Sequence, residues 1–130
     1  AQGVTFVDAP LARSAVEAEA GRLNIMVGAT PEMFAKLEPI LKCCAENVFH
    51  VGSPGAGHGI KLLNNFIGQA ICAATAEAFA VGKLAGVDPK QLVALVGAGP
   101  VNSGLFQAMA KTLDGDLTGL NNLPFPGLLQ

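Results

Sequence analysis

Val4-Thr5-Phe6-Val7, set between Gly3 and Asp8-Ala9-Pro10, is short, β-branched and aromatic, and this pattern predicts a buried strand. Residues 14 to 20 are rich in Ala and Glu and predict a short helical turn closed by Gly21. A second strand is predicted over Leu23 to Val27, stopped at Gly28. Thr30 then stands as an N-cap, with Pro31 at the first helical position and Glu32 in the first turn. Phe34, Leu37, Ile40 and Leu41 recur at helical spacing, so 31 to about 44 reads as an amphipathic helix. Asn47 to Val51 predicts a third strand.

From Gly57 the pattern is helical to about Ala85, roughly 29 residues or ~43 Å at the rise of an α-helix. Gly86 is a natural C-terminal cap, and Asp88-Pro89 restarts a helix over 89 to 97. Gly97, Gly99 and Pro100 break it, and Ser103 to about Leu113 predicts another. The final NNLPFPGLLQ holds two prolines and a glycine and cannot continue a helix. Strands come first and helices after. The expected fold class is therefore α/β followed by all-α, divided near residue 55: an α/β part over 1–55, helices over 56–119 and an irregular tail over 120–130.

Composition narrows the function. Half of the 130 residues are hydrophobic, so a core is available. The net charge is −2 with scattered charges, and Trp and Tyr are absent. Neither a basic patch nor a stacking platform is offered to nucleic acid. The long helical stretch is interrupted by Asn64, Asn65, Gln69, Glu77 and Lys83, unlike a membrane span. No charged and then apolar leader opens the sequence, and three cysteines, Cys43, Cys44 and Cys72, lack metal-ligand spacing. They read as buried small hydrophobes in a reducing, cytoplasmic setting, and no metal site is expected.

The candidate chemistry lies in residues 52 to 65, GSPGAGHGIKLLNN. On a helix, Lys61, Asn64 and Asn65 stand at i, i+3 and i+4 and share one face. One ammonium and two carboxamides would then gather near a helix start, whose free N–H groups and partial positive field suit a small substrate bearing a carboxylate and a carbonyl. Gly55-Ala56-Gly57-His58-Gly59 also resembles the glycine turn of a dinucleotide-binding fold. Ile60 stands where that fingerprint needs Gly or Ala, and the following stretch is helix where it needs a strand. The phosphate-cradle reading is therefore rejected, and no cofactor-binding residue is assigned.

The segment around Lys61 resembles the catalytic signature of the beta-hydroxyacid dehydrogenases, the 3-hydroxyisobutyrate dehydrogenase type of oxidoreductase. Asp8-Ala9-Pro10 resembles the start of that family's Asp-Ala-Pro-Val-Ser-Gly-Gly motif, and Gly21-Arg22-Leu23 and Met26-Val27-Gly28 fall at family spacing. The resemblance runs from Gly3 to about Gly119. It implies an NAD- or NADP-dependent enzyme interconverting a 3-hydroxy acid and its semialdehyde. It also implies the last strands of a dinucleotide-binding Rossmann sheet, a long interdomain helix and part of a helical, dimer-forming domain. Family members are about twice as long, so the chain reads as a fragment, inactive by itself.

By this resemblance Lys61 is the proton donor and acceptor, and Asn65, with Asn64, holds the substrate. Ala12-Arg13-Ser14 replaces the family's Ser-Gly-Gly, which binds the substrate carboxylate. Arg13 is then either a surface arginine or a bidentate clamp on that carboxylate, and Ser14 a weaker contact. Asp8 reads as a turn-former, and His50 and His58 as structural. The competing reading is a non-catalytic self-association module, in which Gly68, Ala70, Ala74 and Ala78 allow close helix contact. A pure interaction helix has no need of Lys61 and two asparagines together.

Overall fold

The computed structural model describes residues 3–118, so the expected tail over 120–130 lies outside the described residues. The chain divides into two compact units, Ala1–Asn65 and Phe66–Gln130, and one long helix belongs partly to each.

The first unit is built on a three-stranded sheet in the order β1 (Leu11–Ala12), β2 (Leu23–Gly28), β3 (Ala45–Gly52). β1 pairs antiparallel with β2, Leu11 opposite Ile25 and Ala12 opposite Asn24. β2 and β3 run parallel, joined through helix α2 (Pro31–Leu41), because parallel neighbours need a crossover. β2 is the central strand, and Leu23, Ile25, Met26, Val27 and Gly28 are all buried. A near-continuous apolar run is what a strand covered on both faces requires. Its one polar residue, Asn24, accepts from Asn47 Nδ2 of β3 at 2.9 Å, which satisfies a carboxamide inside the sheet. Met33, Phe34 and Leu41 of α2 pack on the core of Leu23, Ile25, Val27, Ala29 and Ala45.

Helix ends follow local chemistry. The Thr30 hydroxyl accepts from Met33 N at 3.3 Å and caps α2. α2 stops at Leu41, short of the predicted 44. Pro39 lies inside it and removes one backbone donor, and Cys43 N and Cys44 N bond three residues back, to Ile40 O and Leu41 O. The short helix α1 (Ala15–Glu19) follows Ser14.

Two expectations are corrected in this unit. Residues 4–7 form no strand: Asp8 makes a single bridge to Gly28, while Val4 and Phe6 are 84% and 72% exposed. A β-branched run becomes a strand only when its backbone finds a ladder, and here only Asp8 pairs. Cys43 and Cys44 are exposed rather than buried, since they sit in the turn after α2.

α3 (Ala56–Leu84) is the 29-residue helix the pattern predicts. It ends at Gly86, whose φ of +74° lets Val87 N reach Gly82 O and Gly86 N reach Lys83 O, closing the orphan carbonyls. In the second unit, α4 (Pro89–Gly97) is capped by Asp88 and α5 (Gly104–Lys111) by Ser103, and a 3₁₀ turn, Thr112–Asp114, follows. Phe106 of α5 is buried against Phe79. A groove of about 420 Å³ opens between Ile71, Thr75, Leu92, Val96, Val101 and Phe106. Ala74 and Ala78 line the same groove and Gly68 faces Leu105, so these three of the four small residues look onto helices of their own chain, while Ala70 is exposed.

Candidate active site

The site is built where β3 turns into α3. Gly52 and Gly55 hold φ values of +137° and +99°, which turn the chain from the end of β3 into the helix within three residues. Gly59 N bonds Gly55 O, so Gly55 is the N-cap and His58 the third helical residue. Asp8, far back in sequence, enters this turn. Its carboxylate accepts from Gly55 N at 2.6 Å and from His58 N at 2.8 Å, and His58 Nδ1 lies 3.2 Å from the same group. The Asp8 side chain is completely buried, and its backbone exchanges two hydrogen bonds with Gly28. The Gly55 amide, first, and the His58 amide hold its acid strength above that of an ordinary carboxylic acid, against the opposing effect of burial.

This cuts back the expectation of free N–H groups at the helix start to Gly57 N among the described residues. Asp8 occupies two of them, and Ala56 N is bonded to Ser53 O. Asp8 is a helix cap delivered from another part of the chain, not a local turn-former. The same arrangement bears on cofactor fit. A pyrophosphate bound at a glycine turn needs those N–H groups, and here they carry an internal carboxylate. This turn does not fit the cofactor's phosphates.

One turn beyond the cap, Lys61 is half-buried and makes no ion pair or hydrogen bond among the described residues. Asn64 is exposed. Asn65 is half-buried, and its Oδ1 is buried without a hydrogen-bond donor among the described residues. A buried acceptor left open in this way is costly, commonly about 1–3 kcal/mol, unless something else supplies a donor. The helix thus presents a donor cation and an unsatisfied carboxamide on one face.

Arg13 is engaged elsewhere. Its Nη1 bonds Arg22 O at 2.6 Å and pairs with Glu46, with Glu17 at 4.0 Å. Arg13 adopts φ +82°, a left-handed conformation that glycine takes freely and other residues take at a cost. The position keeps a glycine-like backbone under an arginine side chain. Ser14 is half-buried at the start of α1, without a side-chain cap bond, and Ala12 lies at the end of β1. No hydrogen bond joins the 12–14 segment to Lys61, Asn64 or Asn65 among the described residues. His50 Nε2 meets Ala29 O at 2.8 Å and its ring stacks on Phe34, a packing role. The described residues hold no cluster able to ligate a metal, and none of their helices is long and apolar enough to cross a membrane.

Comparison with known proteins identifies the family of the chain. Residues 1–52 match the family described as the NAD binding domain of 6-phosphogluconate dehydrogenase. Residues 55–119 match that described as NAD-binding of NADP-dependent 3-hydroxyisobutyrate dehydrogenase. The chain is 34% identical to 2-(hydroxymethyl)glutarate dehydrogenase of Eubacterium barkeri, over 91% of its own length and 40% of that protein's. It is 41% identical to 3-hydroxyisobutyrate dehydrogenase of Pseudomonas aeruginosa, over 71% and 31% respectively. Its fold superposes on the crystal structure of 3-hydroxyisobutyrate dehydrogenase from Salmonella typhimurium with a TM-score of 0.69 at 32% identity, covering 85% of this chain and 39% of that one. The Mycobacterium tuberculosis 3-hydroxyisobutyrate dehydrogenase with L-serine gives 0.71 at 28% identity, covering 76% and 34%. The chain spans 40% or less of the length of these relatives. With a family match across half its residues, this chain belongs to the 3-hydroxyisobutyrate dehydrogenase family.

Proposed function

We infer that the protein is part of an NAD- or NADP-dependent oxidoreductase that interconverts a small 3-hydroxy acid and its semialdehyde, with Lys61 as the acid–base group. The observation that carries this reading is Lys61 without an internal partner, one helical turn before the orphaned Asn65 Oδ1. When bound by the rest of the enzyme, the cofactor supplies or accepts the hydride. Proton handling falls to this chain. Reduction of the carbonyl leaves charge on oxygen, and the Lys61 ammonium donates a proton there; in the reverse direction the neutral amine removes it. Asn65 holds the substrate through its carboxamide and neither titrates nor competes for the proton. Asn64 supports it.

The carboxylate is assigned to the 12–14 segment: the Ser14 hydroxyl, the backbone beside Ala12, and the Nε and Nη2 edge of Arg13, whose internal bonds run through Nη1. L-serine, named with the Mycobacterium tuberculosis structure, is a small acid of this class. Exposed apolar residues of α3, among them Leu62, Phe66 and Ile67, support a homo-oligomer. Three free cysteines support a reducing, cytoplasmic compartment.

The test is Lys61→Ala in the complete enzyme. Turnover should fall on the order of 10²–10⁴-fold with the fold retained. A variant within tenfold of the parent in kcat returns Lys61 to the role of a surface lysine.

A further inference from the structure

We propose that Asp8 is a positioning residue for Lys61, holding the first turn of α3 so that the ammonium one turn later meets the reacting oxygen. The proposal rests on the reading of Lys61 as the acid–base group. Its basis is geometric. Asp8 is fully buried and spends its carboxylate on Gly55 N and His58 N, the N-cap and third residue of the helix that carries Lys61. The carboxylate and the helix start are closely packed. A Cβ on Gly57 would collide with Met26 O and lie 2.8 Å from Asp8 Oδ2 and 3.0 Å from Pro10 Cδ. A Cβ on Gly28 would collide with Asp8 Oδ1. Two glycines from two elements make room for one carboxylate. Asp8 is itself tied to Gly28 of β2 by its backbone, so the helix start is referenced to the central strand.

A cap within α3 itself could only stabilise the helix. A cap brought from residue 8 also fixes where the helix begins relative to the sheet. Lys61 Nζ sits on a flexible stem, and its proton is useful only within hydrogen-bond reach of the substrate oxygen. A misplacement near 1 Å is enough to cost on the order of 10²-fold in rate.

The experiment uses the holoenzyme and compares kcat and KM. Asp8→Asn keeps the shape but replaces one acceptor by an NH₂ that opposes a backbone N–H. It should lower kcat by about 10-fold to 10²-fold, with KM changed by less than about threefold. The double variant Asp8→Asn/Lys61→Ala should be no slower than Lys61→Ala alone, because Asp8 acts through the lysine. A second pair breaks the same contact from the helix side and leaves the Asp8 carboxylate in place. His58→Pro deletes one N–H that Asp8 accepts, in a first helical turn where proline is tolerated, while His58→Ala keeps that N–H. His58→Pro should be slower than His58→Ala by about tenfold, and this pair decides the matter where Asp8→Asn does not fold. Parental kcat in Asp8→Asn, multiplicative losses in the double variant, or equal rates in the two His58 variants would each overturn the proposal while leaving the lysine reading intact. Parental turnover in Lys61→Ala would remove the lysine reading and this proposal with it.

Discussion

Gly28 and Asp8 are in contact so close that neither could be larger. A Cβ on Gly28 would overlap Asp8 Oδ1 and lie 2.9 Å from Ser53 O, and no flexible side-chain end is there to yield. Gly28→Ala should therefore destabilise the first unit by about 1–3 kcal/mol, the usual cost of overpacking. Gly59→Ala, a helical glycine with nothing near its missing Cβ, should be neutral or stabilising. Denaturant midpoints for the two variants check the contrast.

Acid should weaken the protein through Asp8. Its folded pKa lies below the ordinary 3.8, chiefly through the Gly55 amide. The stability it contributes is complete above the unfolded value and is lost as the pH falls through the lower, folded one. Denaturant midpoints measured from pH 6 down to pH 2 should fall in the acid range, and Asp8→Asn should flatten that fall. Some slope should remain in the variant, because Glu17, paired with Arg22, and Glu32 are shifted in the same direction. An unchanged slope would mean that Asp8 is equally acidic in the folded and unfolded chains.

Arg13 should tell its backbone from its side chain. At φ +82° an alanine keeps the strain, about 1–2 kcal/mol, and loses the bonds to Arg22 O and Glu46. Glycine loses the bonds but relieves the strain. Arg13→Ala should thus be less stable than Arg13→Gly by about 1 kcal/mol. Thermal unfolding of both variants measures it.

Thiol labelling should divide the cysteines. Cys43 and Cys44 are exposed and should react quickly with a maleimide. Cys72 is half-buried, and burial raises its thiol pKa, so it should react slowly. Mass spectrometry along a time course should show two early additions and one late one.

The sequence by itself determined the elements whose signals are local. Thr30-Pro31, Asp88-Pro89 and Gly86 mark helix ends because a cap needs only the next three or four residues to act. Leu23 to Val27 announced a buried strand because a strand covered on both faces needs apolar residues at nearly every step. Lys61 and Asn65 share a face of α3 through helical periodicity alone. Tertiary structure decided what depends on partners far along the chain. Val4 to Val7 has strand composition but only the bridge at Asp8, and pairing, not propensity, makes a strand. Arg13 looked open to a substrate, but Glu46 and Arg22 O, distant in sequence, claim one of its nitrogens. No local pattern shows that Asp8 caps α3 by way of Gly55 N, 47 residues on, or that a side chain at Gly28 or Gly57 would crowd its carboxylate. A hydrogen bond is set by where two groups meet in space, and for Asp8 only the folded sheet brings them together.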